Sequence, residues 1–134
     1  MSGPTADQTT ILIVEDNYLL LEMLVALFEQ EGLRTLTASS GEAALTLLRE
    51  RGTAIGWLFT DIRLPGLIDG WMVAEAYRSL HPGRPVIYST TSATADQRRT
   101  QGGIVLQKPF VLADVMQLAL MMRGGSVADG LRCA

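Results

Sequence analysis

Short apolar, β-rich runs alternate with helical patterns along the chain, and that alternation restricts the fold more than any other feature. The runs occupy residues 11–14, 33–38, 57–60, 86–89 and 104–106. Between them, apolar residues return at helical spacing. Leu20, Leu24, Leu27 and Phe28 form one stripe, which Asn17 can cap and Gly32 can close. Ser39 and Glu42 stand at capping-box spacing ahead of Ala43, Ala44, Leu47 and Leu48. A third stripe, Val73, Ala74 and Tyr77, ends at His81-Pro82-Gly83, because the residue before a proline avoids helical backbone. Repetition of this kind requires parallel strands joined by right-handed helical crossovers. The first and third runs are apolar throughout, as strands covered on both faces must be. The expectation is one domain, a three-layer α/β/α sandwich around a five-stranded parallel sheet.

Residues 91–103 carry no strong apolar side chain, so a fourth helix there is expected to be short or irregular. The domain is expected over residues 10–123, between a flexible N-terminus (1–9) and a glycine-rich, frayed tail (124–134). With so short a tail, no effector domain is expected to follow the last helix. A hydrophobic content of 48% supplies ample core, and a net charge of −3 argues against a nucleic-acid surface. Cys133 is the single cysteine and cannot form an internal disulfide, which fits a reducing compartment. The N-terminus lacks the basic and apolar regions of a signal peptide. No apolar stretch approaches the roughly 20 residues of a membrane span. A cytoplasmic protein without membrane or nucleic-acid partners is expected.

The ends of the apolar runs carry the chemistry. The first ends in Glu15-Asp16, the third in Asp61, the fourth in Thr90, and the last is followed by Lys108, the sole lysine of the chain. In an open parallel sheet, ligands bind beyond the carboxyl ends of the strands. A lysine kept at one place beside ten arginines suggests the need for a compact point charge. Three carboxylates in one pocket repel, and a divalent cation compensates them. Oxygen-only ligands suit magnesium, with Asp16 and Asp61 direct, Glu15 through water, and the backbone carbonyl of Arg63 as a further oxygen. Asp61 would then accept a phosphoryl group, whose oxygens Thr90 and Lys108 would contact. Each piece alone is commonplace: an acidic pair at a helix start, a loop aspartate, a hydroxyl-rich loop, a Lys-Pro after a strand. Five suitable residues in order at five expected places are not.

Ile-Leu-Ile-Val-Glu15-Asp16-Asn17, Thr60-Asp61-Ile-Arg-Leu-Pro65-Gly66, Pro-Val-Ile-Tyr-Ser-Thr90 and Lys108-Pro109-Phe110 closely resemble the receiver domain of two-component response regulators. The resemblance covers about residues 10–123 and implies a flavodoxin-like (βα)5 fold with strand order 2-1-3-4-5. It implies that Asp61 takes a phosphoryl group from a histidine kinase or phosphotransfer protein. Glu15 and Asp16 become the acidic metal pair, Thr90 the switch hydroxyl and Lys108 the phosphate-contacting lysine, with a cis peptide at Lys108-Pro109. On this reading the chain is no enzyme beyond the turnover of its own Asp61. Departures are Val105 in place of an aromatic switch residue, Thr91 after the switch threonine, and one extra residue in Pro65-Gly66-Leu67-Ile68-Asp69-Gly70. Arg63 and Ser92 stand where the family adjusts hydrolysis of the phospho-aspartate.

Output then falls to protein contacts. The last helix is apolar nearly all round; Val115, Leu118 and Met122 can fill its inner stripe, leaving Met116, Leu120 or Met121 partly outside. A homodimer or partner contact through that helix is one expectation, and docking of a phosphotransfer bundle on Leu19 and Met23 another. Rival readings are weaker. A phosphohydrolase of the aspartate-nucleophile kind needs a second aspartate where Arg63 stands. A flavin carrier needs a glycine-rich phosphate loop where Glu15-Asp16 would repel phosphate. The alternative is a degenerate receiver, a phosphorylation-independent interaction module, favoured only by Val105 and Thr91. His81, before Pro82 at a helix end, reads as structural.

Overall fold

The computed structural model describes residues 9–91 and 103–124. In chain order they form β1 (Thr10–Val14), α1 (Tyr18–Gln30), β2 (Arg34–Ala38), α2 (Gly41–Arg51) and a 3-10 turn (Gly52–Ala54). Then follow β3 (Trp57–Asp61), α3 (Gly70–Leu80), β4 (Val86–Thr90), β5 (Ile104–Gln107) and α4 (Leu112–Gly124). The five strands make one parallel sheet in the order β2-β1-β3-β4-β5, the flavodoxin-like arrangement the resemblance implied. The segment expected to hold an irregular fourth helix lies outside the described residues, as do nearly all of the two termini. Thr9 is already tied in, its carbonyl accepting the Arg34 N–H at 2.9 Å.

Two-residue alternation sends successive side chains of each strand to opposite faces, so the apolar runs feed two cores. Ile11, Ile13, Phe59 and Ile87 pack with Leu21, Leu24 and Phe28 of α1 and with Val115, Leu118 and Met122 of α4. Leu12, Val14, Leu58, Val86 and Tyr88 pack with Ala44 and Leu48 of α2 and with Val73, Ala74 and Tyr77 of α3. Every residue of β3 and β4 is buried, whereas edge strands β2 and β5 are partly exposed. Each fully buried aliphatic or aromatic side chain contributes about 1.5–3 kcal/mol, and this two-sided burial makes the sheet rigid enough to hold charged groups at its end.

Local signals mostly act as expected. Asn17 Oδ1 caps α1 by accepting the Leu20 N–H at 3.1 Å, and Gly32 leaves that helix at φ +86°. The fully buried stripe of α1 is Leu21, Leu24 and Phe28, with Leu20 and Leu27 only partly covered, because α4 shares that face of the sheet. α2 corrects the capping expectation: Ser40, not Ser39, is its cap, its Oγ accepting the Ala43 N–H at 3.1 Å. Glu42 is thereby released from the capping box. In α4 the stripe is Val115, Leu118, Ala119 and Met122, while Leu120 is exposed. Among the described residues, no helix is long and apolar enough to cross a membrane.

Candidate functional site

The sheet winds outward in both directions from β1 and β3, so the connections leaving those two strands diverge and open a crevice at their carboxyl ends. Register brings the acidic residues there. Val14 pairs with Thr60, so Glu15 and Asp61 follow side by side, continuing the series Ile11/Ile13 and Trp57/Phe59 on one face. Asp61 pairs in turn with Ser89, and Thr90 with Gln107. Lys108 comes next, its N–H donating to the Thr90 carbonyl at 2.7 Å. The Lys108-Pro109 peptide is cis, as the resemblance implied.

The side chains converge. Lys108 Nζ lies 2.8 Å from Glu15 Oε1 and 3.0 Å from Asp61 Oδ2. Carboxylate oxygens of Glu15, Asp16 and Asp61 all lie within 4.8 Å of one another. Glu15 is fully buried, Asp61 and Thr90 nearly so, and Asp16 faces solvent. Glu15 Oε2 accepts the Asn17 N–H at 2.9 Å, and Asp61 Oδ1 accepts the Arg63 N–H at 3.3 Å. Burial pushes the Glu15 carboxyl above its ordinary value, although Lys108 and the Asn17 N–H oppose the shift. Burial also acts to lower the Lys108 ammonium, but Glu15 and Asp61 more than offset it and hold the amine above its ordinary value.

The donor set fits a hard divalent cation. Among the described residues, three carboxylates meet a single ammonium, which lies against Glu15 Oε1 and Asp61 Oδ2. One cation does not offset three carboxylates, and the remaining negative charge is expensive to bury unless something positive completes it. Glu15, Asp16 and Asp61 would hold the ion, and the Arg63 backbone follows Asp61 in the adjoining turn. Thr90 closes the row from β4. Thr91 lines an apolar cleft of about 570 Å³ beside Lys108, with Leu19, Leu20, Met23, Pro109 and Phe110. Leu19 and Met23 are indeed exposed there, and Val105, on the edge strand, is 45% exposed. Ser92 lies outside the described residues.

Sequence reasoning missed three participants. Ser89 is fully buried next to Asp61 in the register, and its Oγ has no hydrogen-bond partner among the described residues. Gly70 packs so tightly against the end of β3 that a Cβ there would collide with the Asp61 carbonyl. The Asn17 N–H supports Glu15, an arrangement the helix-cap signal at Asn17 could have revealed.

Comparison with known proteins agrees with this geometry. Residues 11–119 match the family model described as response regulator receiver domain. The chain is 30% identical over 119 residues to the "Probable transcriptional regulatory protein TcrX" of Mycobacterium tuberculosis, covering 85% of this chain and 50% of that protein. It spans about half the length of the curated relatives it matches. A response regulator receiver protein from Sinorhizobium medicae WSM419 superposes with TM-score 0.75 at 30% identity, covering 88% of this chain and 98% of that one. The receiver domain of a sensor histidine kinase from Pseudomonas aeruginosa PAO1 superposes with TM-score 0.70 at 28% identity, covering 87% and 98%. That crystal structure has a magnesium ion coordinated in its active-site cleft. With the family model spanning most of the chain, this protein belongs to the response regulator receiver domains of two-component signalling.

Proposed function

We propose that Asp61 is the phosphoacceptor of this receiver, charged by a histidine kinase or a histidine phosphotransfer protein. The observation that carries the reading is the contact of Asp61 Oδ2 with the chain's sole lysine, 3.0 Å away, beside two further carboxylates. In the transfer, an Asp61 carboxylate oxygen forms a bond to phosphorus as the bond from phosphorus to the donor's imidazole nitrogen breaks. The electron pair leaves with the imidazole. The Lys108 ammonium steadies Asp61 before transfer and meets the phosphoryl oxygens after it, while the Thr90 hydroxyl meets them from β4. Magnesium held by Glu15, Asp16, Asp61 and the Arg63 carbonyl would offset the negative charge gathered on carboxylates and phosphoryl oxygens. The chemistry is confined to the protein's own aspartate, so the protein is a signalling component rather than an enzyme on external substrates.

Output on this reading runs through phosphorylation-dependent protein contacts in the cytoplasm. Val111, Leu112 and Leu120 are exposed on and before α4, which supports a partner or a second copy of the chain docking there. The phosphodonor is served by the exposed Leu19 and Met23 beside the cleft next to Lys108. The test is intact mass after incubation with a small acyl-phosphate donor and magnesium. Wild type should gain one phosphoryl group, and neither Asp61→Asn nor a metal-free sample should. No gain with the acyl phosphate or with a cognate kinase would leave the degenerate, phosphorylation-independent module as the function.

A further inference from the structure

Glu42 lies in the first turn of α2, and its carboxylate leaves its own helix. Oε2 accepts the backbone N–H of Leu67 at 3.0 Å, across 25 positions of sequence. Leu67 belongs to the turn over residues 62–69 that joins β3 to α3, and its side chain is 87% exposed. Two glycines show how closely turn and helix are fitted. Gly66 adopts φ +86°, a backbone conformation that suits glycine, and a Cβ on it would stand 2.8 Å from Glu42 Oε2. A Cβ on Gly41 would collide with the Ile68 carbonyl.

The base of the same turn is tied to the acidic cup. Ile62 N–H donates to the Ser89 carbonyl at 3.0 Å and Gly70 N–H to the Ile62 carbonyl at 2.9 Å. Arg63 N–H donates to Asp61 Oδ1 at 3.3 Å. The turn is therefore fixed at its base by β4 and α3, and at its outer end by a charge-assisted bond from α2. We propose that Glu42 is a positioning residue: by clamping Leu67 it orders the turn that delivers the Arg63 backbone to the Asp61 site. This rests on reading the cup as a metal-dependent phosphoacceptor site. Without the clamp, the turn samples more conformations, and the ordering entropy falls on metal binding instead of on folding.

Glu42→Ala and Glu42→Gln, each in the full chain, test this by magnesium calorimetry, Leu67 amide exchange and thermal melting. Glu42→Ala should weaken magnesium binding about fivefold and speed Leu67 exchange about tenfold, the effect of one lost hydrogen bond. Glu42→Gln keeps an oxygen acceptor and should restore both to within about twofold, a rescue that a general loss of stability would not produce. Unchanged affinity and exchange in Glu42→Ala would overturn the proposal. Equal losses in both variants would assign the effect to charge alone and overturn it too. A wild type that binds no magnesium would sink the reading of the cup with the proposal. That failure is distinguishable, because Leu67 exchange would still respond to Glu42→Ala.

Discussion

Ser89→Ala should make the protein more stable, against the usual direction of a core substitution. Ser89 is fully buried and its hydroxyl lacks a partner among the described residues. An unpaired buried hydroxyl costs about 1–3 kcal/mol. Removing the oxygen forfeits the contacts of one small atom, roughly 0.5 kcal/mol at ~24 cal/mol per Å³ of cavity. The net expectation is a gain of about 1 kcal/mol, toward the low end of the difference between these two contributions. That corresponds to a rise in Tm of about 4 °C for a domain of this size, and to a urea midpoint higher by about 0.5 M. Urea unfolding of metal-free protein, followed by tryptophan fluorescence and far-UV circular dichroism, reads it directly. Ser79→Ala is the control, since that exposed hydroxyl donates to the Ala76 carbonyl at 2.8 Å; its removal should be neutral or slightly destabilising. A loss of 1 kcal/mol or more in Ser89→Ala would refute the reasoning, because it would mean the hydroxyl is satisfied in the folded protein.

Lys108→Met should lower stability by about 3 kcal/mol in metal-free buffer, since it strips the cation from two buried or nearly buried carboxylates. Added magnesium should restore part of the loss, and urea unfolding with and without the ion checks both statements. Tyr77 gives a pH dependence: burial raises its phenol above the ordinary value, with Arg84 opposing, and its hydroxyl donates to the Gly56 carbonyl at 2.8 Å. A raised folded value means the stabilising neutral phenol is fully present below about pH 10 and is lost as pH rises through the folded value. Denaturant midpoints across the alkaline range should therefore fall in wild type and fall less steeply in Tyr77→Phe; identical slopes would remove Tyr77 as the cause.

What the sequence disclosed, and what it hid, follows from the range of the interactions involved. Parallel strands covered on both faces must be nearly continuous apolar runs, so the polar end of each run marks the strand's exit, and Glu15, Asp61, Thr90 and Lys108 could be placed there without coordinates. Ser89 ends a run too, but one small hydroxyl inside Val86-Ile87-Tyr88-Ser89-Thr90 gives no sign of whether it will find a partner. Ser39 and Ser40 both satisfy the local requirement for a cap, and backbone geometry alone chose Ser40. Glu42 obeyed a local rule on paper, yet the Leu67 N–H, brought near only by folding, won its carboxylate. The exposure of Val105 depends on β5 being an edge strand, a property of topology and not of its own neighbours.

The charges of the cup explain why such a costly site persists at the end of a well-packed sheet. Three carboxylates facing one ammonium leave a formal surplus of two negative charges (−3 + 1), with Glu15 fully buried. Burial raises the Glu15 carboxyl above its ordinary value, and the Asp61 charge adds to that shift while Lys108 and the Asn17 N–H oppose it. A dication would bring the formal sum to zero. On the proposed reading, phosphorylation would replace the single charge of Asp61 with the roughly twofold charge of a phosphoryl group and return the sum to about −1. On that reading Lys108 and the three carboxylates serve both events, and metal binding and the phosphorylation equilibrium must shift one another by the same factor. The apolar layers on both faces keep the strand ends from relaxing away from this repulsion. On the proposed reading the imbalance is expressed as affinity for a cation, not as a movement of the backbone.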